Sequence, residues 1–213
     1  MNMKKMLAAG SAVALAATLG TAVVPANAAK GDTPLSAVII DNDEFDTKGQ
    51  DFDILAEAVL AVLDNNPDSA VSVLTDGDVK LTAFAPNDKA FKKLAKALTG
   101  EDKISEEDAF AAVAGLGIDT VESVLLYHVV PGKPITAKKA VKADGAKLET
   151  ALGKNVKVIV KKKHSAGPVI RLQDKDPSFK DPKVIATDIN KGNKQIAHAI
   201  NNVLLPVKAA SLL

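Results

Sequence analysis

The spacing of apolar residues divides the chain into a helical half and a strand half. An apolar run from Met6 to Val24, mostly Ala, Leu and Val, comes first, then a polar, acidic stretch with one apolar patch, Leu35 to Ile40. From Asp53 the apolar positions Ile54, Leu55, Ala58, Val59, Val62 and Leu63 recur at helical spacing, and Asn65-Asn66-Pro67 stops them. A short helical stretch, Asp68 to Leu74, precedes the turn Asp76-Gly77-Asp78. Leu81 to Ala85 predicts a buried strand ended by Pro86, after which Asn87 is placed to cap a helix carrying Phe91, Leu94, Ala95 and Leu98 on one face. Ser105 with Asp108 resembles a capping box for a helix through Val113, Thr120 to Tyr127 predicts another helix, and Thr136 is placed to cap a short one through Val141. Beyond this the period drops to two. Val156, Val158 and Val160 alternate with Lys157, Ile159 and Lys161, and Val169–Leu172, Val184–Ala186 and Ile196–Leu205 predict further strands. Helices followed by strands, rather than alternating with them, predict an α+β fold.

The N-terminal run changes what counts as the domain. Lys4 and Lys5 precede it and Ala26-Asn27-Ala28 follows, which is the three-part pattern of a cleaved export signal over residues 1–28. Residues 29–50 are then a leader, expected to add a strand or lie loosely on the domain, and residues 51–213 form that domain. No second long apolar segment follows, so no membrane span is expected in the mature, secreted chain. The absence of Cys excludes disulfides, cysteine–zinc and iron–sulfur sites and a thiol nucleophile. Packing alone has to hold the exported domain together, with a monomer the favoured state.

Three blocks resemble the fasciclin domain family. They are Leu81-Thr82-Ala83-Phe84-Ala85-Pro86-Asn87-Asp88-Lys89-Ala90-Phe91, Leu126-Tyr127-His128-Val129-Val130-Pro131-Gly132, and His198-Ala199-Ile200-Asn201-Asn202-Val203-Leu204-Leu205-Pro206. Thr150 to Val160 and Asp188-Ile189 resemble two further family segments, and the resemblance as a whole covers about residues 36–208. The chain departs from the family in the displaced Gly192-Asn193 and in Asn201, where Asp is usual. The resemblance implies helices of the N-terminal half packed on a β-sheet wedge formed mainly by the C-terminal half. It also implies an extracellular interaction or adhesion module, without catalytic role or cofactor, that binds a protein, cell-surface or matrix component. By the same resemblance Tyr127, His128, Asp188 and Ile189, with Leu125, Leu126, Val129 and Val130 beside them, correspond to segments implicated in receptor contact. Some fasciclin-like proteins are thought to bind an apolar small molecule such as a lipid or pigment, which is the alternative function.

Read as residues, the blocks are mainly architectural. Phe84, Phe91 and Pro86 anchor a strand–helix corner, His128 is placed to bond carbonyls freed at a helix end, and His198 sits on an apolar strand face near Pro206. No G-x-S-x-G, H-E-x-x-H, P-loop or G-x-G-x-x-G occurs, and His164 lies in a lysine-rich turn. The acidic segment Asp41 to Asp46 fails the EF-hand template because Phe45, Asp46 and Phe52 fall where a ligand, Gly and Glu are needed, so no metal site is expected there.

The net charge of +1 hides an uneven distribution: residues 41–78 carry a balance of −10 and residues 133–163 one of +8. Lys157, Lys161, Lys162 and Lys163 read either as a solubilising face that protects sheet edges or as a docking face for an anionic surface. The only Arg is Arg171, and no aromatic residue interleaves with the lysines, so nucleic acid is not an expected partner.

Overall fold

A computed structural model describes residues 31–40, 45–163 and 167–212. The export segment, residues 41–44, His164 and the Lys163 side chain lie outside what is described. The elements run α1 (Ser36–Ile39), α2 (Asp53–Asn65), a 3-10 turn (Ala70–Leu74), β1 (Leu81–Pro86), α3 (Asp88–Thr99), α4 (Glu106–Ala114) and α5 (Ile118–Tyr127). They continue with β2 (Val129–Pro131), α6 (Ala137–Ala140), β3 (Lys147–Glu149), β4 (Asn155–Lys163), β5 (Gly167–Gln173), β6 (Val184–Ile189), β7 (Gln195–Ile200) and a 3-10 turn (Ala209–Ser211). The fold is α+β, with most helix before residue 128 and most strand after it.

Two sheets divide the strands. One has the order β2-β1-β7-β6, the other β3-β4-β5. The central pair β1–β7 is parallel, from Leu81 opposite Gln195 to Pro86 opposite Ile200. Covered on both faces, β1 and β7 are buried at every position, which is why the strand blocks read as apolar runs without alternation. On one face the small Ala83, Ala85 and Ala197 admit the helices, and Ile54, Val59, Phe91, Leu94 and Val124 close that core. On the other face Phe84 and Ile200 meet Val156, Val158 and Leu172 of the smaller sheet in a second core. The two sheets form the expected wedge.

Local signals mark several ends correctly. Asn87 Oδ1 accepts the Ala90 N–H at 3.1 Å at the start of α3, and Ser105 Oγ accepts the Asp108 N–H at 3.0 Å at the start of α4. Two other caps come from remote segments. Thr136 makes no side-chain cap; instead Asp188 Oδ1 accepts the Ala137 N–H at 2.7 Å at the start of α6. Phe52 has no polar atom to cap α2, and Asp88 Oδ1 accepts the Ile54 N–H there at 2.9 Å.

The expected strand Ile196–Leu205 ends at Ile200. Asn201 Oδ1 takes the Lys183 N–H at 2.8 Å and Asn202 Nδ2 bonds the Lys180 carbonyl at 2.9 Å, so these side chains compete with further pairing. Val203, Leu204 and Leu205 are apolar because they are fully buried, not because they pair.

Residues 31–40 are tied to the sheet rather than added to it as a strand. The buried Gln195 accepts the Leu35 N–H at 2.7 Å and donates to the Val73 and Asp76 carbonyls at 2.7 and 2.8 Å. Gly77 lies against the same segment, and a Cβ there would stand 1.7 Å from the Asp32 carbonyl oxygen.

Candidate functional site

The Tyr-His segment lies where α5 enters β2, between the two cores. Tyr127 is 0% exposed, and its hydroxyl donates to the Asn155 carbonyl at 3.1 Å, joining α5 to β4. Burial pushes its pKa up. His128 is 4% exposed. Its Nε2 accepts the Leu204 N–H at 2.9 Å, which places the proton on Nδ1, and Nδ1 donates to the Val124 carbonyl at 2.7 Å. Burial lowers the His128 pKa to about 4, partly opposed by the bond to Val124, so the ring is neutral. The contact with the helix end is a hydrogen bond between neutral groups, without the charge–dipole component of an imidazolium.

The Asp-Ile segment and His198 form the second connection. His198 Nε2 donates to the Ile135 carbonyl at 2.7 Å, Nδ1 accepts the Asp188 N–H at 3.3 Å, and the ring stacks on Phe84 with centroids 6.0 Å apart. Asp188 adopts φ +60°, which a short polar side chain tolerates, and this turns its carboxylate onto α6 while Lys191 pairs with it at 3.2 Å. Ile189 is half-buried against the helix-side core. Pro86 is buried at the end of β1, and the Pro206 carbonyl accepts the Lys154 ammonium at 3.2 Å. Backbone groups thus occupy both ring nitrogens of His128 and of His198, and neither ring is presented to a nucleophile.

The wedge itself is nearly filled. Between Phe84, Ile135, Leu148, Val158, Leu172 and His198 the free space is about 10 Å³, at most one water and far below the volume of a lipid or pigment.

The outer face of the smaller sheet is different. Strand alternation places Lys157, Ile159 and Lys161 on it, opposite Gln173, Arg171 and Val169 of β5, while Lys147 of β3 stands directly across from Lys157. Lys162 belongs to the other face, at the exposed end of β4, so the lysine run is split by the pleat. Lys147, Lys157 and Lys161 are exposed and form no ion pair among the described residues, and two like charges directly opposite disfavour the sheet on their own. Ile159 and Val169 lie half-buried among them. Such a face presents concentrated positive charge around an apolar centre. One large apolar side chain among the described residues is exposed, Ile185 at 48%, on the outer strand β6 of the larger sheet.

The wiring residues Gln195, Asp174 and Asp176 gave no sequence signal, because their partners are remote backbone groups. Asp174 Oδ2 accepts the Leu205 N–H at 2.9 Å and Asp176 Oδ2 the Ala209 N–H at 2.7 Å.

The family model described as Fasciclin domain matches residues 56–206. No curated protein matches the sequence significantly. Among solved structures, a FAS1 domain pair from the insect cell adhesion molecule Fasciclin I is similar, with a TM-score of 0.45 and 17% identity over 70% of this chain and 44% of that one. The chain therefore spans less than half the length of that structure.

Proposed function

The chain belongs to the fasciclin domain family, and on that premise we propose that it is a secreted, non-catalytic interaction module that docks on an anionic component of a cell surface or extracellular matrix. The observation that carries this reading is the outer face of the smaller sheet. Lys147, Lys157, Lys161 and Arg171 surround Ile159 and Val169 there, with Glu149 the single carboxylate on the three strands' outer positions. Lysine supplies long-range, diffuse attraction suited to a polymer or an acidic protein surface, and the apolar centre adds contact once the partner is near. Tyr127, His128, Asp188 and Ile189 enter this reading through the surface they hold in place, since Tyr127 and His128 are interior. The reading favours a surface-docked partner over an enclosed apolar ligand, for which the wedge offers about 10 Å³. No single helix among the described residues is long and apolar enough to cross a membrane.

The test is binding of the purified protein to cells, wall fragments and matrix-coated surfaces across a salt series. Binding is expected to weaken steadily with salt, and the triple variant Lys147→Glu, Lys157→Glu, Lys161→Glu should lose about tenfold in affinity or more. A folded triple variant that binds as well as the parent, or binding indifferent to salt, would remove the lysine face from the mechanism.

A further inference from the structure

Five carboxylates converge where the loop before α2 meets the first turns of α3 and α4. Two carry their own cation: Glu106 accepts the Lys92 ammonium at 3.0 Å and the Asp46 N–H at 2.6 Å, while Asp46 pairs with Lys48 at 2.5 Å. The other three, Asp51, Asp53 and Asp88, have no ion pair among the described residues, yet one oxygen from each lies within 4.8 Å of the others. Asp88 is 0% exposed and Asp53 4%, and Asp51 is half-buried at the outer side.

A second observation points to a missing partner. Asp88 Oδ1 is used by the Ile54 N–H, but Asp88 Oδ2 is buried without any hydrogen-bond partner, and so is Asp51 Oδ1. A buried carboxylate oxygen left unpaired is costly. Asp88 also faces Asp51 across the cluster.

The local charge can be counted. Three ionised carboxylates bring three negative charges, and the N-termini of α2 and α3, on whose first residues Asp53 and Asp88 sit, each offset roughly half a charge. About two negative charges remain, the complement of one divalent cation. The donors are all oxygen, with no nitrogen or sulfur ligand in the cluster, which selects a hard ion. Calcium accepts irregular carboxylate sets and fills the rest of its shell with water, for which the exposed side of Asp51 leaves access, whereas magnesium demands near-octahedral geometry.

We propose that Asp51, Asp53 and Asp88 bind a calcium ion that joins the loop before α2 to the first turns of α2 and α3. The competing occupant of the same gap is a single proton held between Asp51 and Asp88.

The experiment is thermal unfolding of the purified protein near neutral pH, stripped with chelator and then given calcium, magnesium or manganese chloride in separate arms. Calcium in millimolar excess is expected to raise Tm by about 5 °C, given the affinities usual for extracellular calcium modules. Asp88→Asn keeps the acceptor for Ile54 and supplies an N–H toward Asp51, so it should raise the metal-free Tm while abolishing the calcium shift. Asp51→Asn should abolish the shift too, and it carries the test if Asp88→Asn does not fold. Asp64→Asn, at an exposed position outside the cluster, should retain it. No shift with calcium, a shift with manganese or magnesium alone, or a calcium shift surviving in both cluster variants overturns the proposal. Because the readout is stability, its failure leaves the docking reading above untouched.

Discussion

Replacing His128 by alanine is expected to lower the unfolding free energy by about 4 kcal/mol near neutral pH, a large share of the 5–15 kcal/mol typical of a domain. Among the described residues the imidazole is the only group that satisfies the Leu204 N–H, and it bonds the Val124 carbonyl as well. Alanine strands both backbone groups in a buried site, each worth roughly 1–3 kcal/mol, and leaves a cavity between α5 and the C-terminal segment. The midpoint of urea unfolding measures the effect, and a loss under about 1 kcal/mol would contradict this account. The loss should also shrink on acidification. The folded-state pKa of about 4 lies below the unfolded value near 6.5, so the neutral ring's contribution is complete above pH 6.5 and disappears as pH falls toward 4. The gap between parent and His128→Ala should therefore close by about 3 kcal/mol over that window. Taking the difference between the two proteins is essential. Asp53, Asp88 and Asp174 have folded pKa values raised to about 6, 7 and 6, so they stabilise the fold in acid and lose that contribution as pH rises, the opposite slope.

Gln195→Ala is expected to cost about 3 kcal/mol and to release residues 31–40 from the domain. One side chain satisfies the Leu35 N–H and the Val73 and Asp76 carbonyls, all at 2.8 Å or less; the Asp76 carbonyl also accepts the Val79 N–H at 3.1 Å, so the Leu35 N–H and the Val73 carbonyl carry most of the cost. The segment it holds is also pressed against Gly77, where a Cβ would strike the Asp32 backbone. Gly77→Ala should therefore release the same residues by a different route, which separates the loss of a tether from the loss of a polar group. Limited proteolysis near Leu35, with the urea midpoint, reads both effects. Unchanged protection of the segment in Gln195→Ala would show that Gln195 does not hold it.

Hydrophobic periodicity carried the α+β class, the helices from Asp53 to Tyr127 and the strands β1 and β4, because each of those elements buries a face that repeats at its own period. Asn87 and Ser105 were legible as caps because their targets lie three residues away. Asp88 and Asp188 were not, because the N–H groups they accept from lie 34 and 51 residues away in the chain. The same separation hid Gln195. At Asn201 and Asn202 the apolar run looked like a continuing strand, and local side-chain bonding ended it. The lysine face was partly legible: the alternation of Lys157 and Lys161 was visible, whereas Lys147 joins them only through the register of β3 on β4. The acidic trio was invisible as a unit, because Asp51 and Asp53 meet Asp88 only when α2 and α3 begin side by side.

The parallel register of β1 on β7 sets the order in which the molecule can be completed. Leu81 pairs with Gln195, so the centre of the larger sheet closes a loop of more than a hundred residues. Long-range pairing of this kind is slow, because closure entropy is lost before the contacts form. A growing chain that has reached β6 holds all its helices yet lacks the strand that covers β1, whose alanine-rich face and open edge remain exposed. Completion therefore waits on β7. A chain cut before Gln195 would be a sticky intermediate rather than a smaller domain, and the protein is expected to depend on β7 for solubility as much as for stability.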